Sequence, residues 1–115
     1  MLLGLFPLRS ETLKLRTVVI DAGHGGKDAG AVSKDKKSYE KTFTLSIASS
    51  LAEKIREEFP DVKVVMTRTT DKFVELSDRA QIANKAEGQL FISVHINSSV
   101  STSCTVFTMS SATRP

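Results

Sequence analysis

The sequence predicts an α/β domain, with a mostly parallel or mixed sheet and helices on both faces. Three observations carry that prediction. First, β-rich runs and helical patterns alternate as strand, helix, strand, helix, strand; a crossover helix returns the chain in the same direction, so successive strands pair in parallel. Second, the runs "TVVID" and "LFISVH" are continuously apolar or nearly so, as expected of central strands covered on both faces. Third, 115 residues with 40% hydrophobic and 25% charged content can enclose one core but not two.

Each element has a local signal. Residues 1–16 open with "MLLGLFPL", which is apolar but lacks the positive stretch that begins a secretory leader. They are expected to form an N-terminal extension, either a signal remnant or an extra strand, ahead of a domain over 17–115. Thr17–Asp21 is a β-branched run closed by Asp and Gly, hence a strand followed by a loop that reaches about Tyr39. From Glu40, Phe43, Ile47, Leu51 and Ile55 recur every four residues beside Ala48, Ala52 and Phe59, predicting an amphipathic helix stopped by Pro60. "VKVVMT", Val62–Thr67, is the second strand. Glu75–Glu87 places Leu76, Ala80 and Ala83 at helical spacing before Gly88, the expected C-cap. Leu90–His95 and Thr105–Met109 are the third and fourth strands. Only six residues follow the fourth, too few to finish and cover the sheet, so the domain is expected to be C-terminally incomplete.

Composition narrows the partners. The net charge of +3 leans on "KDKK" at Lys34–Lys37, which reads as a solvated loop and is compatible with an anionic polymer. One Tyr and six Phe fall mostly inside apolar patterns rather than along a basic stripe, which argues against nucleic acid. The single cysteine, Cys104, rules out an internal disulfide and a cysteine-based zinc site, and it reads as a small strand residue. No apolar run approaches the ~20 residues needed to span a bilayer.

Loops that follow parallel strands, and the N-termini of the helices after them, gather at the carboxyl edge of the sheet, where ligand sites form. His24 follows the first strand, Glu40 opens the first helix and His95 ends the third strand, so all three belong to that edge. Two neutral imidazoles and a carboxylate suit Zn²⁺, leaving a fourth tetrahedral position for water as catalytic zinc sites do. Zinc there polarises a carbonyl and brings the pKa of its water towards ~7. Each residue also has a plainer reading. His24 between glycines could occupy a turn, or the glycine loop could bind an anion through its backbone N–H groups. Glu40 could simply favour the helix dipole, and His95 could be a strand-end histidine bonded to a carbonyl. These are the only two histidines of the chain, and their placement at one edge favours a metal. The loop also lacks the lysine–hydroxyl pair of a nucleoside-triphosphate loop and the spacing of a dinucleotide fingerprint.

"VVIDAGHGGKDAGA", a glutamate opening the next helix, "VMTRTTDKFVELSDRAQIAN" and "LFISVHINSS" together resemble the zinc-dependent N-acetylmuramoyl-L-alanine amidases of the bacterial cell wall, in the family's motif order from about Thr17 to Ser99. The resemblance implies Zn²⁺ as cofactor, His24, Glu40 and His95 as its ligands, and hydrolysis of the amide between N-acetylmuramic acid and L-alanine in peptidoglycan. It implies a periplasmic or extracellular location and leaves the need for an activator protein open. Arg68, Asp71, Leu76, Arg79, Ala83 and Asn84 match the middle segment, read as structural, and Asn97 is a candidate substrate contact. Two departures stand out. The family's second, catalytic glutamate has no counterpart, since nothing after Glu87 is acidic, so no catalytic residue is assigned. The fourth strand carries Ser103 and Thr105 where the family tends to have glycine and then glutamate. The alternative to an amidase is therefore an impaired fragment that binds peptidoglycan or metal without efficient hydrolysis.

Overall fold

The computed structural model describes residues 14–97 and 103–109, with side chains through Ile96. The elements are β1 (Thr17–Ala22), α1 (Glu40–Glu58), β2 (Lys63–Met66), α2 (Leu76–Lys85), β3 (Leu90–Asn97) and β4 (Ser103–Met109). They form one sheet in the order β2-β1-β3-β4. β1 pairs in parallel with β2 and β3, Ile20 lying opposite Met66 on one side and Ile92 on the other, while β4 runs antiparallel to β3. The two strands with continuous apolar runs are thus the central ones, and the sheet is mixed. Cys104 lies on β4 opposite Ile96. The opening "MLLGLFPL" lies outside the described residues.

Alternation along β1 divides its side chains between two layers. Val18, Ile20 and Ala22 join Val94, Ala48 and Ala52 in the core beneath α1. On the opposite face, Asp21 is bonded to Arg79 of α2, so helices cover both faces as the sequence predicts. α1 does not bury the row that its large apolar residues suggest. Its buried row is Glu40, Thr44, Ala48 and Ala52, one position round the helix, while Phe43 and Ile47 are 48% and 40% exposed. Small side chains let the helix axis approach the sheet closely, and Leu45, Leu51 and Ile55 fill the margins of the contact.

α2 departs further from its pattern. Leu76 is 83% exposed and Ala80 also faces solvent, whereas Arg79 is its one fully buried residue. The cap differs too. Glu87, not Gly88, takes the left-handed conformation (φ 54°), and Gly88 N–H reaches Ala83 O at 3.0 Å while Glu87 N–H reaches Asn84 O at 3.1 Å. That pair of bonds is the Schellman arrangement, with Glu87 in the position glycine usually holds. Gly88 is needed for a different reason: a Cβ there would lie 2.6 Å from Val19 Cγ2.

Candidate metal centre

β1 ends at Ala22, and the chain turns sharply through Gly23–Gly26. His24 itself is left-handed (φ 64°), followed by Gly25 and Gly26 at φ 128° and 56°. Left-handed geometry costs a non-glycine residue ~1–2 kcal/mol, so other contacts must hold it. Two buried arginines supply them. Arg68, just beyond β2, donates to Ala22 O (3.0 Å), Gly23 O (2.9 Å) and, on α1, Lys41 O (2.9 Å). Arg79 comes from α2 on the other side and donates to Ala22 O (2.7 Å) and His24 O (2.8 Å). The loop is therefore gripped by its carbonyls from both faces of the sheet. Arg79 is in turn paired with Asp21 at 2.8 Å, and Asp21 also accepts from Thr67 (2.7 Å) and Ser93 (2.6 Å). Burial works to raise the Asp21 pKa, but hydrogen bonds from Ser93, Thr67 and Arg79 outweigh it and leave the carboxyl below its ordinary value.

The loop brings His24 against the other two sequence-predicted ligands. His24 Nε2 lies 2.9 Å from Glu40 Oε1, His95 Nδ1 lies 3.4 Å from the same oxygen, and the two ring nitrogens are 3.3 Å apart. Donors held at ~2.0–2.1 Å in tetrahedral geometry stand about 3.3 Å from one another, so this triangle has the size of three corners of a zinc tetrahedron. The residues present thus fit a bound divalent cation. Close approach requires the glycines here: a Cβ on Gly23 would fall 2.5 Å from the His95 ring, and one on Gly30 would fall 2.7 Å from both Glu40 Oε2 and His24 Cδ2.

Further contacts fix the donors. Glu40 Oε2 accepts the Ala31 N–H (2.8 Å) and Oε1 the Ile96 N–H (2.9 Å). Burial works against its charge, but these backbone bonds and the neighbouring His24 hold its pKa below the ordinary value, so it is ionised at neutral pH. Asp28 Oδ2 lies 2.9 Å from His24 Nδ1. Nδ1–H donating to Asp28 leaves the Nε2 lone pair for a cation, the carboxylate–histidine pairing common at metal sites. The bond to His24 is the main reason that the Asp28 pKa lies below its usual value. Asp28 went unrecognised in the sequence; its signal is a carboxylate four residues past a histidine across a glycine turn. Asp71, read as part of a turn, ties the loop down by accepting from Gly26 N–H (2.7 Å) and Lys41 Nζ (2.8 Å). Asn97 is the last residue of β3, and its side chain lies outside the described residues. A cavity of about 400 Å³ opens beside Glu40, walled by Ala31, Val32, Tyr39, Phe43 and Ile96.

These features define a class: an α/β domain with two imidazoles and a carboxylate set as a potential metal-ligand triad at the carboxyl edge of its sheet. The chain belongs to the N-acetylmuramoyl-L-alanine amidase family, whose profile matches residues 18–114. Among relatives it is 42% identical over 85 residues to the probable N-acetylmuramoyl-L-alanine amidase AmiB of Haemophilus influenzae, a match covering 74% of this chain and 19% of that protein. It is 41% identical over 81 residues to the sporulation-specific N-acetylmuramoyl-L-alanine amidase of Bacillus subtilis, covering 70% of this chain and 31% of that one. The solved catalytic domain of CwlV, an N-acetylmuramoyl-L-alanine amidase from Bacillus (Paenibacillus) polymyxa var. colistinus, superposes with a TM-score of 0.67 at 46% identity, covering 75% of this chain and 48% of that chain. The chain therefore spans less than a third of those two curated relatives and about half of that solved domain.

Proposed function

We propose that this chain carries the zinc-binding part of a peptidoglycan amidase, acting on the bond between N-acetylmuramic acid and L-alanine. The observation that supports it best is the triangle of His24 Nε2, Glu40 Oε1 and His95 Nδ1, sized for zinc, in a chain of the amidase family. Bound zinc would supply Lewis-acid polarisation of the scissile carbonyl and a hydroxide near neutral pH. The chain's own residues do the rest. Asp28 orients the His24 ring, and the N–H groups of Ala31 and Ile96 aim Glu40 at the same point. Arg68 and Arg79 keep the His24 backbone where its ring meets the other two donors. Asn97, two residues past His95, is proposed to contact substrate. Such an enzyme works on the wall, in the periplasm or outside the cell; among the described residues no helix is long and apolar enough to cross a membrane.

A second reading has its own support. Among the described residues the carboxylates at the site are Glu40 and Asp28, both committed to holding or orienting donors, and the sequence has no acidic residue after Glu87. General acid–base assistance is worth ~10²–10⁴-fold in rate, so this polypeptide by itself could bind metal and wall while cutting slowly. Elemental analysis should find about one zinc per chain, and His24→Ala combined with His95→Ala should abolish it; full retention refutes the ligand set. With purified sacculi, release of stem peptides supports the amidase, and pull-down without release supports the binder. The absence of both binding and release would overturn peptidoglycan as the substrate.

A further inference from the structure

The segment between Ala31 and Glu40 is a small hairpin. Val32 bridges to Tyr39, Ser33 N–H donates to Ser38 O at 3.0 Å, and Ser38 N–H donates to Ser33 Oγ at 3.0 Å. The residues of its stem, Val32, Ser33, Ser38 and Tyr39, wall the cavity beside Glu40, completed by Phe43 and Ile96. Its tip is Lys34, Asp35, Lys36 and Lys37, all exposed. Asp35, the one acidic residue there, is also exposed and accepts from Ser33 Oγ at 2.5 Å and Lys37 N–H at 3.1 Å, which fixes its carboxylate on the hairpin and leaves the tip with a net positive charge. None of the three lysine ammonium groups makes an ion pair among the described residues. By contrast, Lys41 is bound to Asp71, and Lys27 sits over the Phe73 ring at 4.5 Å. A largely apolar cleft thus lies beside a candidate metal ligand, and two of its wall residues, Ser33 and Ser38, flank in sequence a tip with three lysines and one aspartate.

We infer that this hairpin is the subsite for the peptide portion of the substrate, and that the peptide it selects is acidic. The inference rests on the peptidoglycan reading above. Beside the hydroxyl residues Ser33, Ser38 and Tyr39, the cleft is lined by Ala31, Val32, Phe43 and Ile96, which suit the methyl groups flanking a lactyl–alanyl amide. An extended peptide advances ~3.3–3.6 Å per residue, so carboxylates two or three residues beyond the cut bond lie roughly 7–11 Å away. Lys34 follows Ala31, and Glu40 follows Lys37, by three residues, a reach of at most ~11 Å and so of the same order. The methyl-bearing end of the peptide then occupies the cleft while its carboxylates meet Lys34, Lys36 and Lys37. Exposed charge pairs are individually weak, so the hairpin acts through the sum of its lysines and its selectivity fades as salt screens them.

The test compares the zinc-loaded chain with a Lys34→Gln/Lys36→Gln/Lys37→Gln variant. Zinc content and circular dichroism should match between the two, because none of these side chains packs or pairs. Calorimetric titration with a muramoyl tripeptide bearing free carboxylates, and with the same compound fully amidated, should show the unsubstituted chain preferring the free acid by about tenfold. The variant should bind both forms with the weaker constant, and 0.5 M salt should erase the preference. Equal affinity of the unsubstituted chain for acid and amide, or an unchanged preference in the variant, overturns the subsite while leaving the amidase reading intact. If the unsubstituted chain retains zinc but binds neither muropeptide, the amidase reading fails first and the subsite with it. Loss in the variant of binding to anionic lipid vesicles, with muropeptide binding untouched, would assign the lysines to a membrane surface and also overturn the proposal.

Discussion

Arg79→Met tests whether the loop that carries His24 is held by buried charge. Arg79 is 5% exposed and Asp21 4%, so the substitution strands an ionised carboxylate away from water. Breaking a buried ion pair from one side costs ~3–5 kcal/mol. His24 O and Val74 O also lose the donors that Arg79 supplies at 2.8 and 3.0 Å, each loss worth ~1 kcal/mol. Against a total stability of ~5–15 kcal/mol, Arg79→Met should leave the chain barely folded. Adding Asp21→Asn removes the stranded charge yet keeps an oxygen for the Thr67 or Ser93 hydroxyl. The double variant should therefore be more stable than Arg79→Met alone by ~2–3 kcal/mol, a coupling within the range for residues in contact. Urea titration measures it, as a shift in midpoint at constant slope. The pH dependence has a definite sign. The Asp21 pKa is depressed in the folded chain, so its stabilising contribution is complete above the unfolded value of ~3.9 and disappears as pH falls through the depressed one. The gap between the unsubstituted chain and Arg79→Met should accordingly narrow below about pH 4, where a protonated Asp21 needs no countercharge. A double variant no more stable than Arg79→Met, with a gap indifferent to acid, would refute the reasoning.

Two further substitutions separate the site from the scaffold. Asp28→Asn removes the charge behind His24 from a side chain that is 45% exposed, so zinc affinity should fall ~10-fold or more while the urea midpoint barely moves; chelator competition decides, and unchanged affinity would show that Asp28 does not tune the ligand. Glu87→Gly relieves a left-handed residue with φ 54° and should stabilise the chain by ~0.5–1 kcal/mol, seen as a higher urea midpoint; a lower midpoint would contradict the cap assignment.

The order of elements, the central place of β1 and β3 and the meeting of His24, Glu40 and His95 were legible because they depend on chain-wide constraints. Apolar runs show burial on two faces, and a parallel sheet has only one carboxyl edge. What the sequence concealed depends on side-chain size and on polar partners. In α1 the large residues Phe43 and Ile47 dominate the apolar pattern, yet close packing on the sheet selects the smaller row through Thr44, Ala48 and Ala52. In α2, Leu76 looks like the anchor, but it is Arg79 that is buried, because Asp21 and three backbone carbonyls satisfy its guanidinium. Periodicity counts an arginine as solvent-facing; only knowledge of the partners reverses that. The antiparallel direction of β4 was equally hidden, since a strand pattern is the same read from either end.

The same point bears on what "GHGG" contributes. The motif does more than supply one imidazole; it permits a backbone path that places that imidazole against Glu40 and His95, 16 and 71 positions further on. The path is unfavourable in itself, since His24 is left-handed and lacks the freedom of its glycine neighbours. Gly23 and Gly30 remove the steric obstacles, and Arg68 and Arg79 offset the strain by satisfying the buried or half-buried carbonyls of Ala22, Gly23 and His24. Neither arginine touches the three donor atoms, yet without them the loop would relax and the triangle of donors would open. In the proposed amidase reading the two arginines are therefore positioning residues, because the buried charge network they belong to holds the backbone that carries His24.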